Sequence, residues 1–161
     1  MALNYTGYYD IAQKLQDDFN ADPAINRVTF GDLLEYDRTK ETITPCAHIV
    51  PNPFSMSDRT ITVSFQVFCY DILSQKKLSE AEVLDMPNGV TNFQDCLDTC
   101  MAALLRVLTP YNGRTITMGD TIVKINSSPS FDPVIEEGNS GLCGWLGSVS
   151  FEFIPNVSTC G

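Results

Sequence analysis

One long stretch of alternating apolar and polar residues constrains the fold of this chain more than any other feature of its sequence. It runs from Arg59 to Asp71, and one set of alternate positions is apolar: Ile61, Val63, Phe65, Val67 and Cys69. Because successive side chains of a β-strand point to opposite faces of a sheet, the pattern predicts a single strand. At about 3.3 Å per residue it would extend roughly 40 Å, which suggests a hairpin arm reaching beyond a compact core.

Helical periodicity predicts two helices, Tyr8–Asn20 and Asn92–Leu108. In the first, apolar residues recur every three or four positions, and Asp22-Pro23 ends the helix. In the second, the apolar stripe is broad enough to predict that most of it is buried. Its members are Phe93, Cys96, Leu97, Cys100, Met101, Leu104, Leu105 and Leu108.

Five further segments complete the predicted order of helix, strands, helix, strands. They are strands at Arg27–Phe30, 114–118, 121–125 and 143–154, and a short edge or terminal strand between Pro45 and Pro51. This order is typical of an α+β fold, with a small antiparallel β-sheet of long hairpin strands packed by two main α-helices. The 161 residues fit one domain spanning 1–161.

Charge and hydropathy exclude several functional classes. Ten basic against twenty acidic residues give a net charge of -10, and no basic stripe is visible, so specific nucleic-acid binding is not expected. Such a surface would instead suit a channel through which DNA slides without sticking. The sequence has no run of about 18 apolar residues and its start lacks a signal-peptide pattern, so we expect folding in a cytoplasm without a membrane partner.

The cysteines and the one histidine give no convincing chemical site. Cys96 and Cys100 share a helical face, but a zinc site needs four ligands, and their place on the apolar stripe favours core packing. We therefore predict reduced thiols and assign no catalytic residue, cofactor or metal. The alternative from another functional class is a cytoplasmic cysteine-dependent enzyme, with Cys46 or Cys96 as nucleophile and His48 as base. No local signature supports it.

The remaining unusual features predict interaction surfaces, because exposed apolar groups usually mark a protein partner. Phe54 and Met56 lie in a predicted loop, Asn52–Asp58, and Phe68 and Tyr70 lie on the polar side of the long strand. The alternative for the second pair is that helices cover both faces of the sheet there. A long charged loop, residues 73–90, carries two more apolar anchors, Leu84 and Met86. We expect this loop to become ordered against a partner.

Over nearly its whole length the chain resembles the tail-completion or tail-terminator proteins of the bacteriophage neck. The resemblance is one of element order and local sequence. It is carried by the first helix with Ile11–Leu15 and its ending Asn20–Ile25, by Pro45–Ile49, by Ile61–Val67 and Phe68–Ile72, by the helix Asn92–Leu108, and by the ending Gly144–Asn156.

The resemblance implies a structural virion protein without a catalytic motif. Such proteins form a homo-oligomeric ring, commonly a hexamer, that caps the tail tube and joins it to the head–tail connector. The expected location is the virion neck or tail, after assembly in the host cytoplasm, with DNA passing through an acidic lumen. A head–tail connector adaptor, more often a dodecamer, is the closest alternative, and a monomeric binding module is another.

Overall fold

The computed structural model describes residues 8–31, 45–72, 92–111, 115–118, 121–125, 129–135 and 142–154. In chain order the elements are α1 (Tyr8–Asn20), β1 (Arg27–Phe30), β2 (Cys46–Pro51), β3 (Ser55–Ser57), β4 (Thr60–Ile72), α2 (Asn92–Leu108), a 3-10 turn (Thr109–Tyr111), β5 (Thr115–Met118), β6 (Thr121–Ile125), β7 (Ser130–Ile135) and β8 (Leu142–Phe153). Within these ranges, two helices and one eight-stranded sheet confirm the predicted α+β fold.

The strands form a mixed sheet in the order β1-β2-β4-β8-β6-β5, with β3 beside β4 and β7 beside β8. β1 and β2 run parallel, with Arg27 opposite Cys46, whereas the other described pairs are antiparallel. The prediction of a purely antiparallel sheet is therefore wrong at this edge. A parallel pair needs a crossover of a dozen or more residues, and the segment 31–45 between β1 and β2 is long enough to provide it.

The two longest strands, β4 and β8, form the centre of the sheet. They pair without interruption from Ile61 opposite Phe153 to Ile72 opposite Leu142. The predicted length of both strands is confirmed, but they do not form a hairpin with each other, because α2 and β5–β7 lie between them in the chain. The hairpin that does involve β4 is a short one with β3, closed by the pair Ser57 and Thr60.

Both helices pack on one face of the sheet and form the main core with it. α1 contributes Ile11, Leu15 and Phe19, and the alternate apolar residues of β4 and β8 lie beneath the helices. The opposite face is polar along much of its length. There the hydroxyl groups of Ser64 and Ser150, on neighbouring strands, share a hydrogen bond of 2.8 Å. In the described ranges, no helix covers this second face.

Three strands differ from the sequence prediction. β2 is not an edge strand but lies between β1 and β4. β3 falls inside the segment predicted as a loop, and β7 was not predicted at all. β7 contains Pro133, which has no N–H to donate, and among the described strands it pairs only with β8. Proline is tolerated at such a sheet edge, so its presence here does not break the strand.

An ion pair joins the ends of the two helices. The Asp22 carboxylate, just after α1, accepts hydrogen bonds from Arg106 Nε at 2.7 Å and Nη2 at 2.9 Å. It also accepts the Ala24 backbone N–H at 2.9 Å. Nearby, the Tyr111 hydroxyl donates to Asp18, which also pairs with Lys14. These contacts fix the position of α2 relative to α1 and therefore relative to the sheet.

Candidate assembly surfaces

The β3–β4 hairpin presents two large apolar side chains that are exposed to solvent. Phe54 is 65% exposed and Met56 is 72% exposed, and all three residues of β3 face solvent. The hairpin is held in place by backbone and side-chain hydrogen bonds. Asn52 N donates to Ser64 O at 2.9 Å, and Thr60 Oγ1 donates to Ser57 O at 3.0 Å. We call Phe54, Met56 and their neighbour Tyr8 the hairpin surface.

A shallow apolar cavity of about 330 Å³ lies beside the hairpin surface. It is lined by Tyr8, Asn52, Phe54, Ile61, Val63 and Phe153. The centroids of the Tyr8 and Phe65 rings lie 5.5 Å apart. This contact anchors the start of α1 to the sheet. The predicted exposure of Phe54 and Met56 is confirmed. Their role in an interface stays a prediction.

A second apolar surface, which we call the α2 groove, lies between α2 and β7. It has a volume of about 300 Å³ and is lined by Met101, Leu104, Leu105, Leu108, Thr109, Pro129, Phe131 and Trp145. Met101 is 40% exposed and Leu105 is 58% exposed. The Trp145 indole N–H donates to the Leu97 carbonyl at 2.9 Å, which ties β8 to α2 beside the groove.

Most of the described part of the apolar stripe on α2 is buried, as predicted, and the α2 groove lies where two of its residues remain exposed. Cys96, Cys100, Leu104 and Leu108 are buried against the sheet, but Met101 and Leu105 are not. The signal was present in the sequence, because the stripe covers more of the helix circumference than one sheet face can contact. Excess width of this kind indicates a second apolar neighbour or an exposed patch.

The second predicted surface, Phe68 with Tyr70, is not a surface. Phe68 is 9% exposed and Tyr70 is fully buried. Their rings stack at 4.7 Å between centroids, and Cys46, Val134 and Leu146 belong to the same small cluster. Both residues occupy the sheet face opposite the helices, as the alternation requires, but this end of that face is an apolar core rather than an exposed patch. The prediction that this pair contacts a partner is therefore corrected.

Leu84 and Met86, the predicted anchors of the long loop, lie outside the described residues, as does the whole segment 73–90.

Four cysteines meet where α2 packs on one end of the central pair β4–β8: Cys69, Cys96, Cys100 and Cys143. The Cys96 thiol donates to the Cys143 carbonyl oxygen at 3.1 Å. The hydrogen bond between Cys96 and the neighbouring Cys100 thiol, together with burial, raises the pKa of Cys96 to about 12. The neighbouring thiols of Cys69 and Cys96, with burial, likewise raise the pKa values of Cys100 and Cys143, respectively. The thiols of Cys96, Cys100 and Cys143 therefore stay protonated at neutral pH.

The burial of Cys96 and Cys100 confirms core packing for this pair. The five cysteines in the described ranges are thiols rather than disulfides. Within the same ranges no group of three or more His, Cys, Asp or Glu side chains is arranged to hold a metal ion.

In one form of the alternative enzyme mechanism, His48 would act as the base for Cys96 on α2. The two side chains do not meet. His48 is buried in β2, and its Nδ1 shares a 2.6 Å hydrogen bond with Thr29 Oγ1 of β1. Its neighbours Ala47 and Ile49 belong to the main core beneath the helices, so His48 faces the opposite side of the sheet. Cys96 lies on the helix side. The sheet therefore separates this proposed base from this proposed nucleophile.

Comparison of the sequence with models of known protein families gave no match, and comparison with curated proteins gave no match either. Among the helices that the structure describes, none is long and apolar enough to cross a membrane.

Proposed function

We propose that this chain is a structural subunit that forms a ring at the neck of a tailed bacteriophage, where it caps the tail tube and joins it to the head connector. The observation that carries the proposal is the exposure of two separate apolar surfaces, the hairpin surface and the α2 groove. Large exposed apolar patches usually mark partner sites, and Met and aromatic residues are enriched at the centres of interfaces.

Two different surfaces suit a ring better than a two-fold dimer. A two-fold contact uses the same patch on both subunits, whereas a closed ring uses two different patches on each subunit. The hairpin surface and the α2 groove are built from different elements, on opposite sides of the central pair β4–β8. A ring of six is the expected size.

The phage neck is the context proposed because of the order of elements in the sequence, which resembles tail-terminator proteins. The net charge of -10 supports a role beside moving DNA, since an acidic lumen repels the phosphate backbone. A head–tail connector adaptor is the alternative within the same class.

Removal of the chain from the phage that encodes it tests the proposal. A nonsense mutation in its gene should give filled heads, unjoined tails and tail tubes of irregular length under the electron microscope. Immunogold labelling of the wild-type particle should place the chain where the tail meets the neck. Separating wild-type heads from tails distinguishes the connector adaptor from the tail terminator. An adaptor would remain on the heads. Normal numbers of complete particles in the mutant lysate would contradict both roles.

A further inference from the structure

We infer that the contact between subunits is made by the β3–β4 hairpin of one copy seated in the α2 groove of the next copy. The inference rests on the proposed function, because it supplies the subunit contact that a ring requires. It assigns the groove one occupant, a second copy of this chain, and assigns Phe54 and Met56 as the side chains that enter the groove.

The hairpin is suited to be the inserted part. Phe54 is 65% exposed and directly precedes β3, and Met56 is 72% exposed at the centre of this short strand, whose residues all face solvent. The Asn52 and Thr60 hydrogen bonds hold the strand against β4 before any partner binds. A preformed element loses less conformational entropy on binding than a loose loop, so more of the apolar burial contributes to affinity.

The groove is suited to receive two side chains. An apolar cavity of about 150 Å³ is large enough to bind benzene, and the α2 groove has about 300 Å³. That volume matches one phenyl ring together with one thioether chain. The Asp22–Arg106 ion pair and the Trp145–Leu97 hydrogen bond hold α2 on the sheet, so the groove is also preformed.

Charge is complementary between the hairpin turn and the rim of the groove. Copies with a net charge of -10 repel one another overall, so a contact between them needs apolar burial and local attraction between opposite charges. The exposed Asp98 lies two helical turns before the groove residue Leu105, and Arg106 does not offset its charge because Arg106 is paired with Asp22. The exposed Arg59 of the hairpin turn, although it follows an aspartate, is therefore complementary to Asp98 of the next copy.

The positions of the two surfaces make the contact head-to-tail. The hairpin adjoins the end of β8 at Phe153, whereas the groove adjoins Trp145, eight residues earlier on the same strand. At about 3.4 Å per residue this separates them by roughly 27 Å along the strand, so one subunit cannot fill its own groove. Each copy leaves one hairpin and one groove for its neighbours, and such a contact closes into a ring when the rotation allows.

Three variants test the contact. Met56→Asp places a charge on the hairpin, and Leu105→Glu places one in the groove. Ile122→Glu is the matched control, since Ile122 is 65% exposed on β6 and belongs to neither surface. Sedimentation velocity and native mass spectrometry over a rising concentration series should show oligomers for the wild type and for Ile122→Glu. Met56→Asp or Leu105→Glu alone should raise the dissociation constant at least about tenfold, as expected for central interface residues.

The decisive sample is an equimolar mixture of Met56→Asp and Leu105→Glu. The first variant keeps an intact groove and the second keeps an intact hairpin, so the mixture should form heterodimers and nothing larger. Trp145 is the chain's one tryptophan and lines the groove, so its emission should shift to shorter wavelength as the heterodimer forms. Circular dichroism shows whether each variant is folded. If Leu105→Glu is not folded, Met101→Gln is used in its place.

The inference is overturned by a wild type that stays monomeric throughout the series, by either variant assembling as the wild type does, or by a mixture that stays monomeric. If the wild type forms rings and neither substitution disturbs them, the proposed contact is refuted but ring formation is not. The proposed neck function is decided separately, by the phenotype of the phage that lacks the chain.

Discussion

At the scale of single residues, Asp22 contributes most visibly to the position of α2. Its side chain is almost fully buried and accepts hydrogen bonds from two nitrogens of Arg106, whereas Arg106 is about half exposed, at 47%. These hydrogen bonds hold the pKa of Asp22 below its ordinary value of 3.8. Because the folded-state pKa is depressed, the stabilisation is fully present above that ordinary value and is lost as the pH falls through the folded-state pKa.

We predict that Asp22→Asn lowers the free energy of unfolding at pH 7 by about 1–2 kcal/mol, the lower part of the range for a charged hydrogen bond, because solvent screens Arg106. The difference from the wild type should shrink as the pH falls below 3.8. Urea denaturation at a series of pH values measures it. Asp17→Asn, at an exposed position on α1, is the control and should change stability by less than about 0.5 kcal/mol. A constant difference at all pH values would refute the assigned role of the charge.

The buried thiols give a second prediction at this scale. Iodoacetamide at pH 8 should leave Cys69, Cys96, Cys100 and Cys143 unmodified in the folded protein and should label all four after unfolding in urea. Alkylation requires a thiolate that the reagent can reach. All four thiols are buried, and the pKa of about 12 at Cys96 also keeps that thiol protonated. Peptide mapping by mass spectrometry identifies the labelled positions. Rapid labelling of Cys96 in the folded chain would instead favour Cys96 as the nucleophile of the cysteine-enzyme alternative.

Residue environments were only partly predictable from the sequence. The exposure of Phe54 and Met56 was predicted from two apolar residues in a segment rich in proline, serine and asparagine. The burial of Phe68 and Tyr70 was not, since alternation assigns a residue to a face without saying what else lies on that face. The exposure of Met101 and Leu105 was also missed, because helical periodicity measures the width of a stripe but not the width of its partner.

At the scale of elements, β8 depends on two glycines where neighbouring strands come close. A Cβ atom added at Gly144 would overlap the Cys69 carbonyl oxygen and lie 2.6 Å from Tyr70 Cα. At Gly147 it would overlap Ser130 and Phe131 of β7. The contacts at Gly144 involve backbone atoms of β4, which cannot move without disturbing the central strand pair.

Gly144→Ala should therefore lower the free energy of unfolding by about 1–3 kcal/mol, the usual cost of overpacking. Thermal and urea denaturation measure the change. Ser148→Ala, at an exposed position of the same strand, is the control and should remain within about 0.5 kcal/mol of the wild type. If Gly144→Ala is as stable as the control, β4 and β8 do not approach as closely as described.

Elements with strong periodicity were predictable, and their partners were not. Both helices and the long strands β4 and β8 follow from local patterns in the sequence. The pairing of β4 with β8 and the parallel pair β1–β2 depend on contacts between distant residues, which no local pattern encodes. β3 is too short to show alternation, and Pro133 conceals β7 by removing one backbone donor.

At the scale of the whole molecule, a chain with a net charge of -10 presents two apolar surfaces, one on each side of the central pair β4–β8. The charge limits non-specific association, and the two surfaces permit one specific head-to-tail contact. A chain built only to stay monomeric would not need to expose Phe54, Met56 and Leu105 together. We therefore propose that copies of the chain close into a ring.

Native mass spectrometry with negative-stain imaging of the same sample tests that claim most directly. The wild-type chain is measured at increasing concentration, alone and after addition of its tail tube. We expect one dominant closed species, of six copies, seen as rings in the images and as ring-capped ends on the tubes. A chain that remains monomeric in both conditions, or that grows into open filaments without a fixed copy number, would contradict it.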